Sequence, residues 1–149
     1  MTRRLTRLLL GLVAMTALTA WAFAQTLIIA QGTDPVTLDP HDVTDSPTAT
    51  VASHVYETLF ELMPDGSIVP HLAEGYEVSE DGQTWTLQIR QGVTFHDGTP
   101  LTAEVVKGSL DRFLDPDNAF TFRFLLDRIE EVVVTGDYEV QLNLSTPFA

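Results

Sequence analysis

Cysteine is absent from the 149 residues, so no disulfide framework staples the fold and no thiolate is available as nucleophile or metal ligand. Positive charge is scarce as well: eight Lys and Arg stand against 21 Asp and Glu, a formal net charge of −13. A field of that sign repels phosphate backbones and anionic lipid, which excludes nucleic acid as a partner and suits a well-solvated monomer. The chain also lacks the local signatures of catalysis. There is no G-x-S-x-G, no H-E-x-x-H and no glycine-rich phosphate loop. The four histidines, His41, His54, His71 and His96, are not paired at a spacing that puts two on one element, so each is expected to be structural or exposed. No metal, no cofactor and no catalytic residue are therefore predicted.

What is present begins with a targeting segment. Arg3, Arg4 and Arg7 form a positive start, Leu8 to Ala20 is uncharged and apolar, and Ala22-Phe23-Ala24 is an A-x-A cleavage pattern. Residues 1–24 thus read as a secretory signal peptide, with a mature start at Gln25; an uncleaved membrane anchor is the alternative. Removing them takes away three arginines and no acid, which makes the remainder more acidic still. An exported chain without cysteine has no lipidated-cysteine tether, so free diffusion in a periplasm is expected. Residues 25–149 suffice for one modest domain held by burial alone.

Along that domain, Leu27-Ile28-Ile29-Ala30 predicts a short buried strand. Asp34-Pro35 and Asp39-Pro40 then impose a loop over residues 33–47, because proline fixes φ and removes a donor. Val51, Val55, Tyr56, Leu59 and Phe60 are spaced along one helical face, with Ser46 as its cap and Pro47 in its first turn. Asp65-Gly66, Asp81-Gly82 and Asp97-Gly98 follow at intervals of sixteen, each between strand-like runs. They predict tight turns, since glycine supplies positive φ; none has the dense acidic pattern of a calcium loop. Trp85, Leu87 and Ile89 alternate with polar residues as in a half-buried strand. Thr102 caps a second helix, with Leu101 stapled to Val106, and Val106, Leu110 and Phe113 on its inner side up to Asp115-Pro116. A helical stretch near Phe120 to Leu126 and a hairpin of Ile129–Val134 and Tyr138–Leu144, turning at Thr135-Gly136-Asp137, complete the pass. The element order gives a mixed α/β (α+β) class.

The run from Leu72 to Pro116, LAEGYEVSEDGQTWTLQIRQGVTFHDGTPLTAEVVKGSLDRFLDP, closely resembles the signature region of bacterial extracellular solute-binding protein family 5, which includes oligopeptide-, dipeptide- and nickel-binding proteins. Thr37-Leu38-Asp39-Pro40-His41, Tyr56-Glu57-Thr58-Leu59 and the strand Tyr138 to Leu144 are similar to further blocks of that family. Tyr76 and Glu104 stand where Trp and Asp are common.

The resemblance implies the N-terminal part of a two-lobed periplasmic binding protein of type II-like fold, including its small extra α/β subdomain, with the second lobe absent from this chain. It implies capture of a peptide or related small solute in the periplasm and delivery to the permease subunits of an ABC importer. It also implies that the DG, W-T-L and F-H-D-G blocks are structural and that Thr44, Asp45 and Ser46, just after the L-D-P-H block, face the ligand. His41 lies at the edge of the same loop. A secreted hydrolase or carbohydrate-binding β-rich domain is the alternative, and it requires an acid pair or nucleophile that the residues do not offer.

Overall fold

The computed structural model describes residues 28–148, which divide into a short stretch up to Gln31 and a compact unit from Gly32 onward. Residues 1–24, expected above to be a signal peptide, and Leu27 of the expected strand lie outside the described residues. Ile28 to Ala30 form no strand: Ile28 is 85% and Ile29 55% exposed. The prediction of a buried strand fails there because no described strand pairs with this run, and an unpaired strand gains neither ladder hydrogen bonds nor apolar cover.

The compact unit begins with the proline-punctuated loop, which includes a 3-10 turn at Pro40–Asp42, and continues into helix α1 at Ser46–Ala52. The N-cap is Asp45, not Ser46: its carboxylate accepts from the Thr48 amide at 2.9 Å, and Ser46 is the first helical residue. The helix stops at Ala52, well before Leu59 and Phe60. Thr50 and Ser53 hydroxyls and the His54 ring turn back onto carbonyls of Ser46 and Thr50, an option that competes with helix propagation. Leu59 and Phe60 meanwhile join strand pairing, as Ala73 donates its amide to Leu59 and Phe60 lies opposite Pro70.

Strands β1 (Phe60–Leu62) and β2 (Ile68–Pro70) form an antiparallel hairpin. Strands β3 (Ala73–Val78), β4 (Thr84–Ile89), β5 (Ile129–Gly136) and β6 (Glu139–Leu144) make an antiparallel sheet in the order β3-β4-β6-β5. Asp65-Gly66 and Asp81-Gly82 turn the first two hairpins, and Asp97-Gly98 turns a third whose only bridge is Thr94 to Pro100. In each the glycine has positive φ, and the preceding Asp accepts the amide two residues on, from Ser67, Gln83 and Thr99. These carboxylates sit below their ordinary pKa, because the charged form is the better acceptor: of the Ser67 hydroxyl and then its amide at Asp65, of the Ser79 hydroxyl and then the Gln83 amide at Asp81, and of the Thr99 amide at Asp97. The β5–β6 turn falls at Asp137-Tyr138, later than predicted, since Gly136 still pairs with Glu139.

One face of the sheet is covered by helix α2 (Ala103–Leu114). Residues of one parity on β4 and β6 point towards it, so Leu87, Ile89 and Val140 join Val132, Leu101, Ala103 and Val106 in the core. Leu101 and Val106 are both buried, as a hydrophobic staple requires. Thr102 occupies the N-cap position of α2 but makes no side-chain cap bond; instead the Ala103 amide donates to the Asp137 carbonyl of the β5–β6 turn at 2.9 Å. Asp115 ends the helix before Pro116, and only Arg123–Leu126 of the predicted later helical stretch are regular, as a 3-10 turn. Among the described residues no helix is long and apolar enough to cross a membrane.

Candidate ligand-facing loop and its clamp

Thr44, Asp45 and Ser46 are brought together at the entrance to α1, as consecutive residues must be, but their side chains have different duties. Thr44 and Ser46 are exposed. Asp45 is engaged: one carboxylate oxygen caps the helix and the other accepts from the Thr48 hydroxyl at 2.8 Å. Thr48 is buried, and its Oγ1 in turn accepts the Val36 amide at 3.0 Å. Asp45 therefore fixes the backbone of the loop from both sides of its turn, and leaves the two neighbouring hydroxyls turned to solvent.

The loop is held from outside by α2. Asp39 caps the 3-10 turn through the His41 amide, at 3.0 Å, and receives both ends of the Arg112 guanidinium. This two-pronged pairing suits the planar fork of arginine. It holds the Asp39 carboxyl well below the usual carboxylate range, at about 2, with the His41 amide bond adding to the effect. Arg112 Nη1 also lies 2.7 Å from His41 Nδ1, and His41 Nε2 lies 3.2 Å from the Ser109 hydroxyl. The imidazole packs edge-on against both Phe113 and Phe120, whose rings stack on each other, and Arg112 sits over Phe120. Burial among these rings, and then the charge of Arg112, push the His41 pKa down; Asp39 opposes them. His41 is thus structural, with no second imidazole beside it, and among the described residues no group of three His, Cys, Asp or Glu could hold a metal.

Arg112 and Ser109 were not legible as site residues. Their spacing puts them on one face of α2 next to Phe113, but Asp39 lies 73 residues earlier, and nothing local links the two. Elsewhere, a cleft of about 480 Å³ opens between Ser53–Glu57 and the Val93–His96 arm of the third hairpin. His54 and His96 both line it, as do Leu72 and Leu101.

Residues 67–149 match the family described as "Bacterial extracellular solute-binding proteins, family 5 Middle". The chain belongs to this family. It is 39% identical over 136 residues to the glutathione-binding protein GsiB of Pectobacterium atrosepticum, an alignment covering 91% of this chain and 26% of the relative. The GsiB of Salmonella paratyphi A is also 39% identical, over 140 residues, with 94% and 27% covered. Among solved structures, the PBP AgaA of A. tumefaciens R10 in complex with agropinic acid aligns with a TM-score of 0.71 at 41% identity, covering 76% of this chain and 23% of that one. NikA from Brucella suis in complex with Fe(III)-EDTA aligns with a TM-score of 0.66 at 32% identity, covering 76% and 23%. The fold class is accordingly that of the periplasmic binding proteins of the oligopeptide- and nickel-binding type. The chain spans about a quarter of the length of the curated relatives it matches.

Proposed function

We propose that this family 5 chain supplies part of one lobe of a periplasmic solute-binding protein, which captures a peptide or related small solute and hands it to the permease subunits of an ABC importer. Supporting this most directly is the 39% identity, across 91% of the chain, with a protein named for binding glutathione. Glutathione and short peptides are therefore the first solute class to test. Thr44, Asp45 and Ser46 form the ligand-facing edge. Thr44 and Ser46 offer exposed hydroxyls for hydrogen bonding, while Asp45 keeps the turn rigid through Thr48. Binding of this kind needs shape, a few directed polar groups and a closing motion, and no reacting residue, cofactor or metal. The acidic surface suits a soluble monomer that does not bind nucleic acid, exported by a signal peptide ending at Ala24.

Thermal-shift titration of the intact protein against glutathione, di- and oligopeptides, sugars and nickel chelates tests this reading. A ligand that binds only the folded state raises Tm by an amount that grows with its concentration over Kd. Glutathione or a peptide is expected to raise it in a saturable way. A protein that none of these stabilises, or that turns over a substrate, would overthrow the proposal.

A further inference from the structure

Residues 32–56 form a self-stitched segment. Val36 is bonded to Thr48, Asp45 to Thr48, and the Tyr56 hydroxyl donates to the Leu38 carbonyl at 2.9 Å. Among the described residues, every hydrogen bond leading from this segment to the rest of the unit ends on Ser109 or Arg112 of α2. Only after Glu57 does the chain lock onto the sheet, where Leu72 and Ala73 donate to the carbonyls of Thr58 and Leu59. Apolar packing onto the rest of the unit is concentrated at the same place, where the His41 ring meets Phe113 and Phe120 edge-on. Val36 and Leu38 are 73% and 66% exposed, and Val55 and Tyr56 remain about half exposed. On the other side of Ser53–Glu57 lies the open cleft, not a packed surface. Mechanically this is a lever joined to the sheet through residues 57–58 and held around Asp39 and His41 by α2 and Phe120.

We infer that Ser109 and Arg112 are positioning residues for solute binding: they clamp Asp39 and His41 and thereby set the orientation of the loop that carries Thr44, Asp45 and Ser46. This rests on the ligand-facing role proposed above for that loop. The fork of Arg112 fixes both carboxylate oxygens of Asp39 and the His41 ring at once, so it defines an angle as well as a distance. A lysine at 112 would keep the charge and lose the angle.

The test compares Arg112→Met, Arg112→Lys and Ser109→Ala in the intact protein by amide hydrogen exchange and by calorimetric titration with reduced glutathione and the nonapeptide RPPGFSPFR. With the clamp removed in Arg112→Met, amides of residues 36–48 are expected to exchange at least tenfold faster while those of β4 and β6 keep their wild-type rates. Affinity for whichever probe binds the wild type falls tenfold or more. Arg112→Lys recovers part of both effects, and Ser109→Ala gives a smaller loss. Unchanged exchange at 36–48, or acceleration spread evenly over β4 and β6, would overturn the inference, as would local loosening with unaltered probe affinity. If the wild type binds neither probe, the proposed solute class fails, and the exchange pattern alone decides whether the clamp exists.

Discussion

Arg112 Nη1 stands 2.7 Å from His41 Nδ1, which makes that ring nitrogen an acceptor and places the imidazole proton on Nε2, towards the Ser109 hydroxyl. A guanidinium cannot accept, so protonating His41 sets two positive groups against each other. The clamp is therefore built for the neutral ring, in agreement with its lowered pKa.

A two-step acid response follows. The folded His41 holds its proton less tightly than the ordinary value of 6.5, so the unfolded chain binds more protons and stability falls as pH drops below about 6.5. Asp39 contributes stability that is present above 3.8 and is lost as pH falls through about 2. His41→Asn keeps an acceptor near the Nδ1 position but cannot titrate. A Tm-against-pH series should show the variant without the step below 6.5 and with the later one intact; a variant profile identical to wild type would remove His41 from the account.

The core depends on residues that α2 covers. Ile89 is 2% exposed and Val140 fully buried, in neighbouring strands under that helix. Ile89→Ala should cost about 2–5 kcal/mol in chemical denaturation, whereas Ile68→Ala, on an exposed β2 residue, should change stability by less than about 0.5 kcal/mol.

Two Asp-Gly turns separate backbone strain from crowding. Gly66, with φ +84°, has open space where a Cβ would sit; at Gly82, with φ +70°, a Cβ would meet the Pro147 side chain at 3.2 Å. Gly66→Ala should cost roughly 1 kcal/mol from positive φ alone. Gly82→Ala should cost more, and equal losses at the two positions would show that Pro147 yields freely.

Trp85 stacks on Tyr76 with ring centroids 5.0 Å apart, yet its buried indole nitrogen has no hydrogen-bond partner. Trp85→Phe retains an aromatic ring and deletes an unsatisfied donor, so its net cost should stay within about 1 kcal/mol. A loss well beyond that in the intact protein would mean that an acceptor meets the indole there.

Local chemistry carried much of the fold into the sequence. The Asp-Gly pairs marked their turns because only glycine takes positive φ without penalty, and the alternation at Trp85, Leu87 and Ile89 identified both the strand and its inner face. The staple of Leu101 on Val106 was readable from spacing. Misreadings arose where two local options compete. Val55, Leu59 and Phe60 fit a helical face, but Leu59 and Phe60 bond to β2 and β3 neighbours instead. At α2 the Thr102 hydroxyl stays out of the cap, and the Asp137 carbonyl, 34 residues later, receives the first helical amide.

By itself the sequence determined the turns, the strand faces, the second helix, the acidic surface and the family, because each is written in neighbouring residues or in short-range periodicity. Only the tertiary structure decided how the Thr44–Ser46 loop is held. Beyond the local Asp45–Thr48 cap, its long-range restraint comes through Asp39 and His41 from Arg112 and Ser109 on a helix folded against the sheet, and such hydrogen bonds have no local pattern to announce them until the chain has closed.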